Sequence, residues 1–410
     1  MSSSQAGTSA PPTGEAGTPV IQRKSRGRGP MIAVVAVIVV VILVLVVGWS
    51  AGWFNSSSSS SKGTTGCTLP TLVQLKGEGS TLVAPLMDQW ATSYWNGAAV
   101  TYDSAGSSAG IQAITAKTVD FGASDAPLTY AQRAAAPGIL TIPESAGGVV
   151  PIYDLAGVSV SLNFNGSVLA QIFDGSMTSW NNSALQALNP HVVLPVQTIL
   201  PIYRTGGSGT TFIFTSFLTA ENAAWAHTYG KNTAWPTNIT VGRGESGNGG
   251  VASTVSTTPN SIGYVDLNYA LNAGSGVGVG NVQNPKGNFI HATVANTESA
   301  LVDSNVVLPA GTGDWYNVSL LNAPGANDYP ITSLTYVLVY QNLNAFSGYT
   351  LTNAENVVDF LHWIVTVGQN YSALLYYVPL TSAIVSADLA SINSITLGTE
   401  TVPVCVPTSS

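Results

Sequence analysis

Three times the chain runs from a short strand-like stretch through a loop of Gly, Ser and Thr into an apolar pattern of helical spacing. Leu72-Val73-Gln74-Leu75 precedes Gly79-Ser80-Thr81, after which Leu82, Leu86 and Trp90 recur at helical spacing, with Pro85 tolerated in the first turn. Val100-Thr101-Tyr102 precedes Gly106-Ser107-Ser108-Ala109-Gly110 and a helix over Ile111 to Ala116, and Val119-Asp120-Phe121-Gly122 follows as another strand. Ile199-Leu200-Pro201-Ile202-Tyr203 leads into Arg204-Thr205-Gly206-Gly207-Ser208-Gly209-Thr210-Thr211 and an apolar run that opens Phe212-Ile213-Phe214. This alternation predicts an α/β fold, with helices covering a largely parallel sheet. In such sheets ligands sit at the carboxyl ends of the strands, where the loops enter the helices.

The loops carry the chemistry of a dehydrated anion site. Backbone N–H groups at a helix start have no intrahelical partner, glycines admit a ligand close to them, and arginine offers a planar fork of donors that fits a tetrahedral oxyanion. One Gly/Ser/Thr cluster reads equally well as a surface turn. Three of them, with Arg204 beside the last, point to a polydentate oxyanion cage. An isolated arginine is ordinarily a solvated charge, and beyond the N-terminal region only Arg133, Arg204 and Arg243 occur. Arg204 is singled out by its glycine turn and the apolar strand before it.

Charge constrains the partner. Only 8% of the residues are charged, 45% are hydrophobic, and the formal net charge is -8, which excludes a nucleic-acid footprint. Arg23, Lys24, Arg26 and Arg28 face only Glu15 in the first thirty positions, so the remainder is more acidic than the whole. An anion bound there must be held by local donors against the bulk field.

Directly after the basic cluster, Met31 to Val47 is unbroken apolar sequence, extended to Phe54. That is long enough to span a bilayer, so one membrane anchor over 31–54 is expected in preference to a cleaved signal. The basic segment 1–30 would stay cytoplasmic, Trp49 and Trp53 would sit at the far interface, and everything beyond would be extracellular. Segment 55–67 is a serine-rich tether. In an oxidising exterior a disulfide between Cys67 and Cys405, which bracket the rest of the chain, is favoured over free thiols. Asn55, Asn165, Asn181, Asn238, Asn317 and Asn370 each open an Asn-x-Ser/Thr sequon and are candidates for glycosylation.

Several contiguous blocks stand out: Gly77-Glu78-Gly79-Ser80-Thr81-Leu82-Val83-Ala84-Pro85, Val119-Asp120-Phe121-Gly122-Ala123-Ser124-Asp125-Ala126-Pro127, and Arg204 through Ser216. With Ser261-Ile262-Gly263-Tyr264-Val265 and Tyr329-Pro330-Ile331-Thr332-Ser333 they extend over essentially all of the chain after Cys67. In these blocks the sequence resembles the phosphate-binding subunit of the phosphate-specific ABC importer. The resemblance implies a two-lobed periplasmic-binding-protein type II fold with the anion in the cleft, lobe I being 68–150 plus 331–405 and lobe II 151–330. It further implies phosphate contacts from Thr81, Leu82, Ser107 and Asp125 of one lobe and from Arg204, Ser208, Gly209 and Thr210 of the other. The partners would be inorganic phosphate and the permease subunits, with no cofactor, no metal and no catalytic residue.

Asp125 makes chemical sense only if the ligand carries a proton for the carboxylate to accept, which sulfate at neutral pH lacks; otherwise it reads as a helix cap before Pro127. The chain departs from the family pattern at Gly206, where an aspartate usually pairs with the arginine, at Glu78, where a small residue is usual and whose side chain should alternate away from the anion, and at Leu82, which replaces an aromatic. Two rival readings remain. Gly106-Ser107-Ser108-Ala109-Gly110 fits the Gly-x-Ser-x-Gly elbow of serine hydrolases, with Ser108 as nucleophile, yet His191, His227, His291 and His362 lie in no partner motif. A structural cell-surface protein would suit the anchor and sequons but leaves Asp125 and Arg204 unexplained. Gly274-Ser275-Gly276-Val277-Gly278 is expected to be a turn, and the aromatic Tyr371–Tyr377 stretch to be core packing.

Overall fold

One strand, β4 (Ile139–Tyr153), is 15 residues long and buried throughout. A strand with both faces covered belongs in the middle of a sheet with layers on either side, and that is its position. The computed structural model describes residues 73–94 and 98–405, all within one compact unit, Gly66–Ser410. The anchor expected over 31–54, the serine tether, Cys67 and Asn55 lie outside the described residues. Among the described residues no helix is long and apolar enough to cross a membrane.

In chain order the other strands of the main sheet are β1 (Val73–Gly79), β2 (Ala98–Asp103) and β3 (Phe121–Ser124) before β4. After the short β5 (Asn163–Phe164) come β6 (Leu200–Arg204), β7 (Arg243–Glu245), β8 (Ser261–Asp266) and β9 (Gly278–Val279). β10 (Asn281–Gln283) and β11 (Phe289–Ile290) join β5 in a small separate sheet, and β12 (Thr332–Tyr340) returns to the main one. The spatial order is β2-β1-β3-β12-β4-β8-β6-β7, with β9 also on β4.

The protein is a two-lobed α/β fold, and the register shows how the lobes join. β1 pairs in parallel with β2 and β3, and β6 in parallel with β7 and β8. Between these parallel sets stand the antiparallel β12 and β4. The first part of β4, to Gly148, pairs with β12, and the remainder, from Val149, pairs with β8. At this crossing the Val149 N–H donates to the Ile331 carbonyl at 2.9 Å, and the buried Tyr329 hydroxyl donates to the Val149 carbonyl at 2.8 Å.

The three loop-to-helix units are present, with shifted boundaries. The second helix spans Ser107–Ala116 rather than beginning at Ile111, because Gly106 takes φ 107°, a left-handed-side value that suits glycine, and turns the chain directly into it. The helix Gly209–Glu221 is capped by the Ser208 hydroxyl, which accepts the Thr211 N–H at 3.1 Å. The strand expected over 119–122 runs over Phe121–Ser124. Of the expected turn over Gly274–Gly278, positions 274–277 turn the chain and Gly278 already opens β9. The core-packing expectation for Tyr371–Tyr377 needs correction: Tyr377 is fully buried, but Leu374 is 74% exposed and Tyr376, with φ 66°, is 40% exposed. Two 3-10 turns, Val367–Tyr371 and Ala373–Leu375, cover the stretch; Tyr371 and Leu375 pack against the core, and Tyr376 follows the second turn.

Candidate functional site

The loops after β1, β2, β3, β6 and β7 converge on one buried cluster that holds the Arg204 guanidinium. Arg204 closes β6 and is 3% exposed, yet among the described residues it forms no ion pair. The pairs that do occur are Arg133 with Asp314 and Arg243 with Glu245. The Arg204 backbone N–H donates to the Tyr264 hydroxyl at 3.2 Å, and Nη1 donates to Thr210 Oγ1 at 3.3 Å. Its Nε has no hydrogen-bond partner. Burial lowers its pKa, opposed by Tyr264, Asp125 and Tyr269, but a guanidinium remains protonated in proteins. A buried charge left without a counter-charge costs several kcal/mol, so this one is arranged for an anionic partner. Gly206, at φ 72° with nothing within 4 Å of an added Cβ, supplies no acid to Arg204.

Around the guanidinium stand the predicted hydroxyls. Thr81, Ser107, Ser208 and Thr210 are all buried. Ser107, Gly209 and Thr210 occupy the first turns of their helices, where the N–H groups have no intrahelical acceptor. Gly209 faces Ser107 and Asp125 so closely that an added Cβ would stand 2.5 Å from Ser107 Oγ and 2.6 Å from Asp125 Oδ2. Ser208 has committed its N–H to the Thr233 carbonyl at 2.8 Å.

Asp125 lies at the end of β3 and is 1% exposed. It caps no helix: Thr129 caps the helix Tyr130–Ala135, with Gln132 completing a capping box. Burial raises its pKa, opposed in part by the nearby hydroxyls of Ser80, Thr335 and Ser107 and by the positive charge of Arg204. Those groups favour the ionised, acceptor-only form.

Leu82 differs from the other predicted contacts. Its N–H donates to Ser80 Oγ at 2.9 Å and its side chain is core, 1% exposed; the Tyr377 hydroxyl donates to its carbonyl at 2.6 Å. Glu78 is half-buried, its carboxyl raised by burial and by Asp103. Ser108 donates its backbone N–H to the Gly207 carbonyl at 3.1 Å, and among the described residues no hydrogen bond joins it to a histidine.

Asn248 is a member of the cluster that the sequence reading did not include. It opens the helix Gly247–Thr257 and is fully buried. Its backbone N–H and its Nδ2 donate to Thr81 Oγ1 at 3.2 and 3.0 Å, and Nδ2 also lies 3.1 Å from Thr210 Oγ1. Its Oδ1 accepts the Asp266 N–H at 3.0 Å. The local signal was present, since Gly244-Glu245-Ser246-Gly247-Asn248-Gly249-Gly250 is a fourth glycine-rich loop between strand and helix. Beside the cluster a recess of about 240 Å³ opens between Pro127 and Phe212, with Lys231 stacked 4.1 Å over the Tyr316 ring.

Of the sequons, Asn181, Asn238, Asn317 and Asn370 are exposed. Asn165 is half-buried, its side chain accepting the Val168 N–H at 2.8 Å. Cys405 is buried and is not a free thiol.

The PBP superfamily domain matches residues 57–366. The phosphate-binding protein PstS of Haemophilus influenzae is 36% identical over 317 residues, covering 76% of this chain and 90% of that protein. PstS of Xylella fastidiosa is 33% identical over 318 residues, covering 75% and 82%. Among solved structures, the high-affinity periplasmic phosphate-binding protein PfluDING, with phosphate bound, aligns with TM-score 0.65 at 19% identity over 80% of this chain and 96% of that one, a likeness of fold. With two lobes, a cleft lined by helix starts and hydroxyls, and matches of this extent, the chain belongs to the PBP superfamily and, within it, to the PstS family of phosphate-binding proteins.

Proposed function

We propose that this protein captures inorganic phosphate outside the cell and delivers it to the permease of an ABC importer. The observation that carries the reading is Arg204: a buried guanidinium that forms no ion pair among the described residues, set among Thr81, Ser107, Ser208, Thr210 and the first N–H groups of two helices. Thr81, Leu82, Ser107 and Asp125 form one side of the phosphate cage and Arg204, Ser208, Gly209 and Thr210 the other. Leu82 contributes by holding the loop, since its own N–H is engaged by Ser80. Asp125 accepts the proton that a phosphate monoanion or dianion carries. Sulfate, with none to give, would leave a buried charged acceptor unsatisfied, at a cost of at least ~1–3 kcal/mol.

Binding is non-covalent. Lobe I (68–150 plus 331–405) and lobe II (151–330) close about the crossing between Gly148 and Val149, which desolvates the anion. The apolar segment 31–54 anchors the protein in the membrane, with 1–30 cytoplasmic, 55–67 as tether and the binding lobes extracellular. A disulfide between Cys67 and Cys405 closes the base of that unit; the supporting fact is that Cys405 is not a free thiol and the chain has 2 cysteines. The exposed sequons Asn181, Asn238, Asn317 and Asn370 are the favoured positions for sugar.

Titration calorimetry of the purified protein with phosphate and with sulfate tests the function. Tight phosphate binding with sulfate far weaker is expected; equal affinities, or no heat with either, overturn it.

A further inference from the structure

Thr335 places one hydroxyl between two buried carboxyls. Its Oγ1 lies 2.9 Å from Asp125 Oδ1 and 3.1 Å from Glu144 Oε1, and none of the three residues is more than 1% exposed. Glu144 reaches this position through a β-bulge. Thr335 pairs with Ser145 and Tyr336 with Pro143, so Glu144 is the extra residue on β4, and a bulge re-aims the side chain it carries.

A hydroxyl has one hydrogen. Thr335 can donate to one carboxyl only, and the other contact must run toward it from a carboxyl that bears a proton. Two ionised carboxylates at these distances in a dry site would repel, so the pair holds one proton between them. The surroundings decide which carries it. Asp125 accepts from Ser107 Oγ at 3.4 Å and feels the positive charge of Arg204, both of which favour its ionised form. Glu144 has Thr335 alone: its Oε2 has no partner, Gln369 Nε2 donates to its backbone carbonyl, and the Tyr102 hydroxyl is committed to the Ser80 carbonyl. An unpartnered oxygen is far less costly on a neutral acid than on a carboxylate.

We infer that Glu144 is the protonated member, donating to Thr335 Oγ1, which in turn donates its own hydrogen to Asp125 Oδ1. This relay rests on the phosphate reading and deepens it. It keeps Asp125 an ionised acceptor with Oδ2 turned toward Ser107 and Gly209, which is the condition for accepting the ligand's proton. Glu144 and Thr335 are therefore positioning residues of anion selectivity. Consistently, burial, opposed by the Thr335 hydrogen bond and reinforced by the charge of Asp125, pushes Glu144 up to about 8. Above that pH Glu144 ionises, competes for the Thr335 hydrogen and adds a negative charge beside the ligand. The other titratable groups that feel the charge of Asp125 or Glu144 are Tyr102, Arg204, Asp266, Tyr269, Tyr336 and Tyr377.

The test compares the full-length protein with Glu144→Gln, whose amide nitrogen makes the same donation to Thr335 and cannot ionise. Phosphate and sulfate affinities are measured by calorimetry from about pH 6 to 9.5. Near neutrality the variant should bind phosphate within about threefold of the wild type and remain selective. Above about pH 8 the wild-type affinity should fall, relative to the variant, by up to about tenfold per pH unit, the limit set by one linked proton. Superimposable profiles overturn the relay alone, whereas a wild type that binds no phosphate overturns the phosphate reading beneath it. Infrared difference spectra of the ligand-free proteins at pH 7 give a second, affinity-independent measurement. A protonated-carboxyl C=O stretch present in the wild type and lost in Glu144→Gln supports the relay; no such difference overturns it.

Discussion

Ser108 donates its backbone N–H to the carbonyl of Gly207 at 3.1 Å, and an added Cβ on Gly207 would stand 2.0 Å from Ser108 Oγ and 2.2 Å from Ser108 Cβ. Ser108 lies in the first turn of the helix Ser107–Ala116 on the β1–β3 side of the sheet, while Gly207 belongs to the loop after β6, so the contact spans the cleft. Neither residue is needed as a ligand. Gly207→Ala should therefore obstruct closure while leaving the anion donors in place, weakening phosphate binding by about tenfold or more, the order expected of ~1–3 kcal/mol of overpacking. Ser108→Gly removes the obstructing atoms, so the double variant should recover most of the loss. Solution scattering with and without phosphate reads the closure; undiminished contraction in Gly207→Ala would refute the account.

Arg204→Ala removes the only guanidinium in the cage and should abolish measurable binding of any anion, a loss of at least ~100-fold from deleting one member of a buried charge pair. The ligand-free variant should lose little stability, because among the described residues the charge it deletes forms no ion pair and its burial is costly. Calorimetry and thermal unfolding check the two halves separately.

Asp125→Asn leaves size and burial nearly unchanged but offers an N–H₂ where a carboxylate accepted. Sulfate should gain relative to phosphate, narrowing the ratio of their affinities by at least about tenfold, the size of one satisfied buried hydrogen bond. A variant that still rejects sulfate as the wild type does would remove Asp125 from the selectivity mechanism.

Asn248→Ala deletes a side-chain bridge from Thr81 to Thr210 while leaving its backbone N–H to Thr81. The expected result is faster phosphate release with a smaller change in the rate of capture, because contacts completed on closure act mainly on dissociation. Stopped-flow fluorescence, with Trp225 and Trp235 as native reporters in the lobe that carries Arg204, is a direct measure.

The stability of the protein should rise as the pH falls from 8 towards 4. Asp388, on the helix Ser382–Ile392, and Glu144 are buried and both are pushed up to about 8, chiefly by burial. Their unfolded values are near 4, so their folded forms are neutral and their contribution is fully present below that value. It is lost progressively as the pH climbs to about 8. Asp388→Asn, remote from the cage, should flatten that slope without altering phosphate binding. Denaturant unfolding at several pH values would expose a slope of the opposite sign.

What the sequence made legible was local. Arg204, Ser208 and Thr210 lie within seven consecutive residues at a strand-to-helix turn, and Asp125 within a contiguous block at a strand end, so chain proximity alone assembles most of the chemistry. Asn248 sits in a glycine-rich loop of the same kind but with no arginine beside it to draw attention. Glu144 and Thr335 left no local trace. They meet across 191 positions through an antiparallel register and a bulge, and strand periodicity, which would alternate Glu144 with its neighbours, says nothing about where a bulge will fall. The exposed Leu374 and Tyr376 escaped the core-packing expectation because composition does not show which side chains two successive 3-10 turns will leave facing solvent.

The position of β12 in the sheet also dictates an order of assembly. It is inserted between β3 and β4, yet it is made almost two hundred residues after them. As the chain leaves the ribosome, the part of the sheet built on β6, β7 and β8 has all its partners early, including the later half of β4. The first-synthesised part must wait with a gap along both β3 and the earlier half of β4 until residues 332–340 emerge. The half made first is thus completed last, and during that interval its unpaired strand edges are open to mispairing.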